Sequence, residues 1–143
     1  MTLHLIKLAV GAEDVDGMAR YQALRLKQAR DNGYPEILRH VTRNTPRRAA
    51  ELLEGGSLYW VIKGFVRVRQ RLVGFEALTD NEHPRCGLVL DPHLVPTELR
   101  AHRPFQGWRY LRAEDAPPDA RDRSSDTAIP EDMASELREL GLL

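Results

Sequence analysis

Cysteine is nearly absent: Cys86 stands alone in 143 residues. No disulfide can form within the chain, and a reducing cytoplasm is the expected compartment. Long apolar runs are also missing, with nothing near the roughly 20 residues a membrane-spanning helix needs, so no membrane partner is expected. The opening MTLHLIKLAVG has no basic region before its apolar stretch and no small-residue cleavage site after it, so it reads as a first strand and not a signal peptide. Enzyme signatures are lacking: no G-x-S-x-G elbow, no P-loop, no G-x-G-x-x-G and no H-E-x-x-H. No reaction can be assigned on that basis, and no cofactor is expected. His83, Cys86, Asp91 and His93 are ligand types close in sequence, but Cys86 and Asp91 have opposite strand parity and no second cysteine exists, so no metal is expected either.

Net charge is zero, with 21 basic and 21 acidic residues, but the balance hides an asymmetry. Residues 113–143 carry nine acids and three bases, leaving residues 1–112 with 18 bases and 12 acids. Lysine is scarce among the bases, only Lys7, Lys27 and Lys63, and the other 18 are arginine. Guanidinium groups suit bidentate contacts to phosphate or carboxylate, although GC-rich codons also favour arginine generally.

The length fits one domain, which at this size buries about 70% of its unfolded surface. Residues 2–9 read as a strand, with Leu3, Ile6 and Leu8 partly inward. From Asp14 to Asn32, Val15, Met18, Ala19, Ala23, Leu26 and Ala29 share one side of a helical wheel, and Gly33 is placed to cap the helix. LRHVTRN reads as a polar connection. Thr45 as N-cap and Pro46 at the first helical position start a short helix, TPRRAAELLEGG. SLYWVIKG and FVRVRQRLVGFEAL are strands meeting at Lys63-Gly64, with a bulge expected at Gly74. TDNEHPR reads as a loop and CGLVLDP as a short buried strand, and one or two strands follow in residues 94–112. An acidic linker and a helix with Met133, Leu137 and Leu140 along one stripe complete the chain, giving a division into 1–112 and 113–143. The final helix docks either on its own domain or on a second copy.

Two constellations suit anion recognition. Arg39, His40, Arg43, Arg47, Arg48, Lys63, Arg67, Arg69 and Arg71 form the densest basic stretch. Arg67, Arg69 and Arg71 are expected on one strand face, opposite Val66, Val68 and Leu72, a row able to follow an anionic backbone. Arg47 and Arg48 in a helical first turn oppose the macrodipole, a conflict that a bound anion would relieve. A solvated sheet face whose arginines pair with the acidic tail accounts for the same row. The second constellation is Tyr59, Trp60, Phe105, Gln106, Trp108 and Tyr110; in RPFQGWRY, Arg103, Gln106 and Arg109 are interleaved with Phe105 and Trp108, a composition suited to stacking on bases and reading their edges. Trp60 shares parity with Leu58 and Ile62 and reads as core. The expected partner is RNA or a nucleotide-like anion, with a small-molecule enzyme using His40 as acid or base, or a protein-interaction module, as the alternatives.

HLIKLAVG at 4–11, RHVTRNTPRRAAELLEGGSLYWVIKG at 39–64, RQRLVGFE at 69–76, LVLDP at 88–92 and RPFQGWRYLRAEDAPPD at 103–119 resemble a bacterial family, domain of unknown function 1489. That family brings no activity with it. The succession TPRRAAELLEGG, SLYWVIKG, FVRVRQRLVGFEAL is similar to the middle of PUA-like pseudobarrels of the ASCH and EVE groups, with Gly55-Gly56 in place of their usual Gly-Asp. This second resemblance implies an RNA- or nucleobase-binding cleft beside a barrel. The expected fold is α+β: a small mixed or antiparallel sheet, or a PUA-like pseudobarrel, with flanking helices and a C-terminal helical arm.

Overall fold

The structure, a computed structural model, describes residues 2–120. Seven strands and two helices follow in the order β1 (Leu3–Leu8), α1 (Val15–Asp31), β2 (Leu38–Thr42), α2 (Ala49–Leu52), β3 (Ser57–Ile62), β4 (Phe65–Asp80), β5 (His83–Leu90), β6 (Val95–Ala101) and β7 (Trp108–Arg112), with a 3-10 turn at Ala113–Asp115. The strands pair in the path β2-β5-β4-β3-β1-β7, with β6 added to β4. Only β1 and β3 run parallel among these pairs, so the fold is α+β with a mixed sheet whose path is open. The expected Met133–Leu137–Leu140 helix lies outside the described residues.

Asp14 accepts from the Gly17 N–H at 2.6 Å and starts α1 as its N-cap. The helix ends at Asn32, followed by Gly33 at φ +76°. Its buried side differs from the wheel: Met18 and Gln22 are buried and Ala23 is exposed. Gln22 belongs inside because its amide pairs reciprocally with the buried Gln70, at 3.0 and 2.8 Å. Gln70 also accepts from Trp60 Nε1 at 2.9 Å and donates to the Asp91 carbonyl at 3.1 Å, so all its hydrogen-bonding groups are engaged.

The polar connection LRHVT is a strand, β2, on the edge of β5. The expected helix from Thr45 shrinks to four residues starting after Arg48, with no side-chain cap, so neither Thr45 nor an anion at a helical first turn has the role read from sequence. Gly56 follows closely. A Cβ there would lie 2.3 Å from the Leu3 carbonyl oxygen and 2.4 Å from that of Leu52, so only glycine lets these backbones meet.

Lys63 and Gly64, at φ 51° and 82°, form the two-residue turn of the β3–β4 hairpin. The loop expected at TDNEHPR is instead strand up to Asp80 and from His83, joined by Asn81 and Glu82 at positive φ. β4 is irregular twice. Trp60 faces Val68 while Val61 faces Val66, leaving Arg67 as the extra residue, and Leu72 faces Leu90 while Gly74 faces Val89, leaving Val73 extra beside the expected Gly74.

The first irregularity overturns the expected arginine row. Val66 and Val68 enter different apolar clusters on opposite faces, and Arg67 is buried, its guanidinium donating to the Ile62 and Lys63 carbonyls. The larger cluster gathers Leu3, Leu5, Leu52, Leu58, Trp60, Leu72, Cys86 and Leu88 under α1 and α2. The smaller one holds Ile6, Tyr59, Val61 and Val66, with Phe105, Leu111 and Ala116 against it. Residues 116–120 lie along β6: Glu98 N–H donates to the Pro118 carbonyl and Ala120 N–H to that of Pro96, both near 3 Å.

Candidate anion-binding pocket

In β1 the inward parity runs Leu3, Leu5, Lys7, so a lysine occupies a position that the pattern reserves for an apolar residue. Lys7 lies level with Trp60 of β3 on one side and Trp108 of β7 on the other. β2 shows the same inversion: Leu38 and Thr42 are buried, His40 sits between them on that face, and Val41 is 52% exposed. Both anomalies border one cavity of about 600 Å³, walled by the Leu8–Asp14 loop, the first turns of α1, β2 and Trp60.

Met18, Leu38, Trp60 and Leu90 contribute apolar surface to the cavity, and Lys7, Arg20, Arg25, Arg39 and His40 supply its nitrogen groups. Its two carboxylates are engaged elsewhere: Asp14 caps α1, and Glu13 pairs with Lys63 at 2.8 Å. Arg39 is paired with Glu76 through Nε and Nη2. Among the described residues, Lys7, Arg20 and Arg25 form no ion pair, and since Asp14 keeps its negative charge while capping α1, the lining is left with a net positive charge from these three cations against one carboxylate.

His40 stacks edge-on to Trp60 with ring centres 4.9 Å apart. Its Nε2 is buried and, among the described residues, is the side-chain polar atom left without a hydrogen-bond partner. Burial, reinforced by the charges of Lys7 and Arg25, pushes the imidazole pKa down to about 4, so the ring is neutral at pH 7. Burial also lowers the Lys7 ammonium below the usual lysine range. An anion here would meet a half-buried Lys7 at the cavity wall and the exposed Arg20 and Arg25 at its rim, where Arg25 also donates to the Arg39 carbonyl at 3.4 Å and lies 5.9 Å over the Tyr21 ring; only the Lys7 attraction gains from removal from bulk water.

The remaining residues of the two sequence constellations scatter. Arg48 pairs with Glu51 at 2.6 Å and lies 5.7 Å over the Tyr110 ring, with Arg43 and Arg47 exposed in the same loop. The loop is fixed to β7 through Trp108 Nε1 donating to the Asn44 carbonyl at 3.0 Å and the Arg48 N–H donating to Tyr110 Oη at 3.1 Å. On the other sheet face, Arg69 makes a two-pronged bridge to Asp119 at 2.7 and 2.8 Å and reaches Ser57 Oγ at 3.0 Å. Beside it His4 Nδ1 accepts from the Ser57 N–H at 3.0 Å, and His4 packs edge-on to the buried Tyr59. Arg109 lies 4.8 Å over Phe105, and Arg71, Arg103 and Gln106 are exposed. Thus Arg39 and His40 alone of the sequence candidates line the cavity, and Lys7, Arg20, Arg25 and Trp60 join them. The signal for Lys7 was available as a charged residue at an inward strand position.

Among the described residues no three His, Cys, Asp or Glu side chains gather as a metal site. No described helix is long and apolar enough to cross a membrane. The family described as "Protein of unknown function (DUF1489)" matches residues 5–143. No curated protein matches, and no solved structure does.

Proposed function

The chain belongs to the DUF1489 family, and from that premise we propose that it binds a phosphate-bearing ligand in the pocket between α1 and β2. One observation carries the reading: Lys7, Arg20 and Arg25, without ion-pair partners among the described residues, border the same cavity as a buried, unpartnered His40 Nε2. An unsatisfied buried nitrogen costs about 1 to 3 kcal/mol, a loss that a ligand oxygen or N–H would recover. The apolar side formed by Met18, Leu38, Trp60 and Leu90 suits a ring attached to the phosphate, so a nucleotide-like anion fits better than inorganic phosphate alone. Arginines 67 and 69 contribute nothing to this site, being engaged with backbone carbonyls and Asp119 respectively.

His40 as a general base is the second reading, favoured by its neutral ring in a cavity. Its unpartnered Nε2 meets the first requirement of either role, but no nucleophile lies beside it in the described contacts, so binding is the reading we adopt.

The test is calorimetric titration of the full chain with uridine monophosphate and with sulfate. Arg25→Gln and Lys7→Gln are expected to weaken both ligands, and the exposed Arg71→Ala to leave them unchanged. Equal loss in all three variants, or no binding by the unaltered protein at about 50 mM salt, where electrostatic contacts are least screened, contradicts the reading.

A further inference from the structure

We propose that the ligand of the pocket is part of a single-stranded nucleic acid, whose neighbouring nucleotides run out of the pocket across β7 and the 43–48 loop. This rests on the reading of the pocket as a phosphate site and extends it to a substrate class. The register supplies the path. Trp60, Lys7 and Trp108 stand level on three adjacent strands, β3, β1 and β7, so the sheet face that carries Trp60 and Lys7 at the cavity continues, outside the cavity, onto β7 within roughly two strand spacings, about 10 Å.

Beyond Lys7 the surface carries two aromatic rings of β7 beside the arginines of the 43–48 loop. Trp108 is half-buried and meets Tyr110 edge-on at 5.1 Å, and Tyr110 is 37% exposed. The Arg48 guanidinium lies over Tyr110, and Arg43 and Arg47 flank the segment in exposed positions. An exposed tyrosine beside a half-buried tryptophan, with the exposed Arg43 and Arg47 in the adjoining loop and Arg48 held by Glu51, offers one ring for stacking and two cations for phosphates along a single strand. The platform is held in place by the two hydrogen bonds that tie Asn44 and Arg48 to Trp108 and Tyr110, so little ordering is left to do on binding. An acidic peptide would satisfy the arginines but has no ring to offer the aromatic faces.

Fluorescence anisotropy with a labelled uridine oligomer of roughly ten nucleotides, a length typical of single-strand sites, tests this against uridine monophosphate on the full chain. The oligomer is expected to bind at least about tenfold tighter than the monophosphate. Tyr110→Ala is expected to weaken the oligomer by about 5- to 150-fold, the effect of losing one stacking ring. Tyr110→Phe keeps the ring but removes the acceptor of the Arg48 N–H, and is expected to weaken the oligomer less than Tyr110→Ala does. Arg43→Ala and Arg47→Ala, at exposed positions where truncation leaves the fold intact, should each lower the slope of log affinity against log salt by about 0.7. Equal affinity for oligomer and monophosphate, with no response to Tyr110→Ala or the two arginine variants, overturns the path and leaves the pocket reading standing. Competition by polyglutamate as strong as by the oligomer overturns it in favour of an acidic protein partner. Failure of the monophosphate to bind at all removes the pocket reading itself.

Discussion

An anion bound beside His40 must change that residue's protonation, and the size of the change follows from its surroundings. In the unliganded pocket, burial with Lys7 and Arg25 nearby holds the imidazole at about 4. A bound dianion offsets those two cations and also attracts the imidazolium directly, which acts against burial, the largest cause of the depression, so a full return to the ordinary value is the upper limit of the change. If it restores the ordinary value near 6.5, the ligand gains affinity wherever the bound state is protonated and the unliganded state is not. At about pH 5 the gain is roughly thirtyfold, and at about pH 7.5 it is nearly nil. Sulfate is the proper probe because its charge is constant across that range, whereas phosphate titrates within it. Titration calorimetry in two buffers of different ionisation enthalpy should report uptake of close to one proton per sulfate at about pH 5 and little at about pH 7.5. His40→Gln should abolish both the uptake and the pH dependence. Equal sulfate affinity at the two pH values, with no proton taken up, refutes the placement of the anion beside His40.

Together with His4, whose pKa burial also lowers, the same imidazole contributes to acid stability. Because its folded pKa lies below the unfolded value, its contribution is intact above about pH 6.5 and declines as pH falls toward 4, by about 2 kcal/mol at pH 5; urea unfolding of His40→Gln against the parent at the two pH values should show a smaller loss in the variant. Gln70→Leu strands the Trp60 N–H and the Gln22 amide, and chemical denaturation should show a loss of about 2 to 4 kcal/mol. Gly56→Ala forces a Cβ onto two carbonyl oxygens and should destabilise by at least about 2 kcal/mol, read as a fall in melting temperature. Asp119→Asn removes the partner of a partly exposed Arg69 and should cost at most about 1 kcal/mol, so a collapse of the fold would show the bridge to matter far more than its exposure implies.

Much of the fold was legible where local chemistry agreed with packing. Asp14 and Gly33 bracket α1, and Lys63-Gly64 turns the first hairpin, because caps and two-residue turns demand particular residue types whatever the tertiary context. Leu58, Trp60 and Ile62 share the buried parity expected of them. The candidate site was less legible, for reasons rooted in the same pocket. β2 hides as a polar connection because it turns a histidine toward the cavity and a valine toward solvent, reversing the usual alternation. Gln22 looks like surface until its partner Gln70, 48 residues away, is known. The arginine row failed because strand parity holds only while pairing is regular. The extra residue at Arg67 exchanges the faces of Val66 and Val68, and neither glycine nor proline marks it. Inverted polarity at Lys7 and His40 was the sequence trace of the pocket, since local rules are most often broken where a site is built.

Two tryptophans make the central claim directly measurable. Trp60, whose indole N–H is bonded to Gln70, lines the cavity, and Trp108, whose indole N–H is bonded to the Asn44 carbonyl, lies outside it on β7. In a ¹H–¹⁵N correlation spectrum, a mononucleotide titrated into the full chain should shift the Trp60 indole and the His40 imidazole while leaving Trp108 nearly in place. Shifts confined to Trp108, or none at Trp60 and His40 under saturating ligand, contradict a phosphate site between α1 and β2.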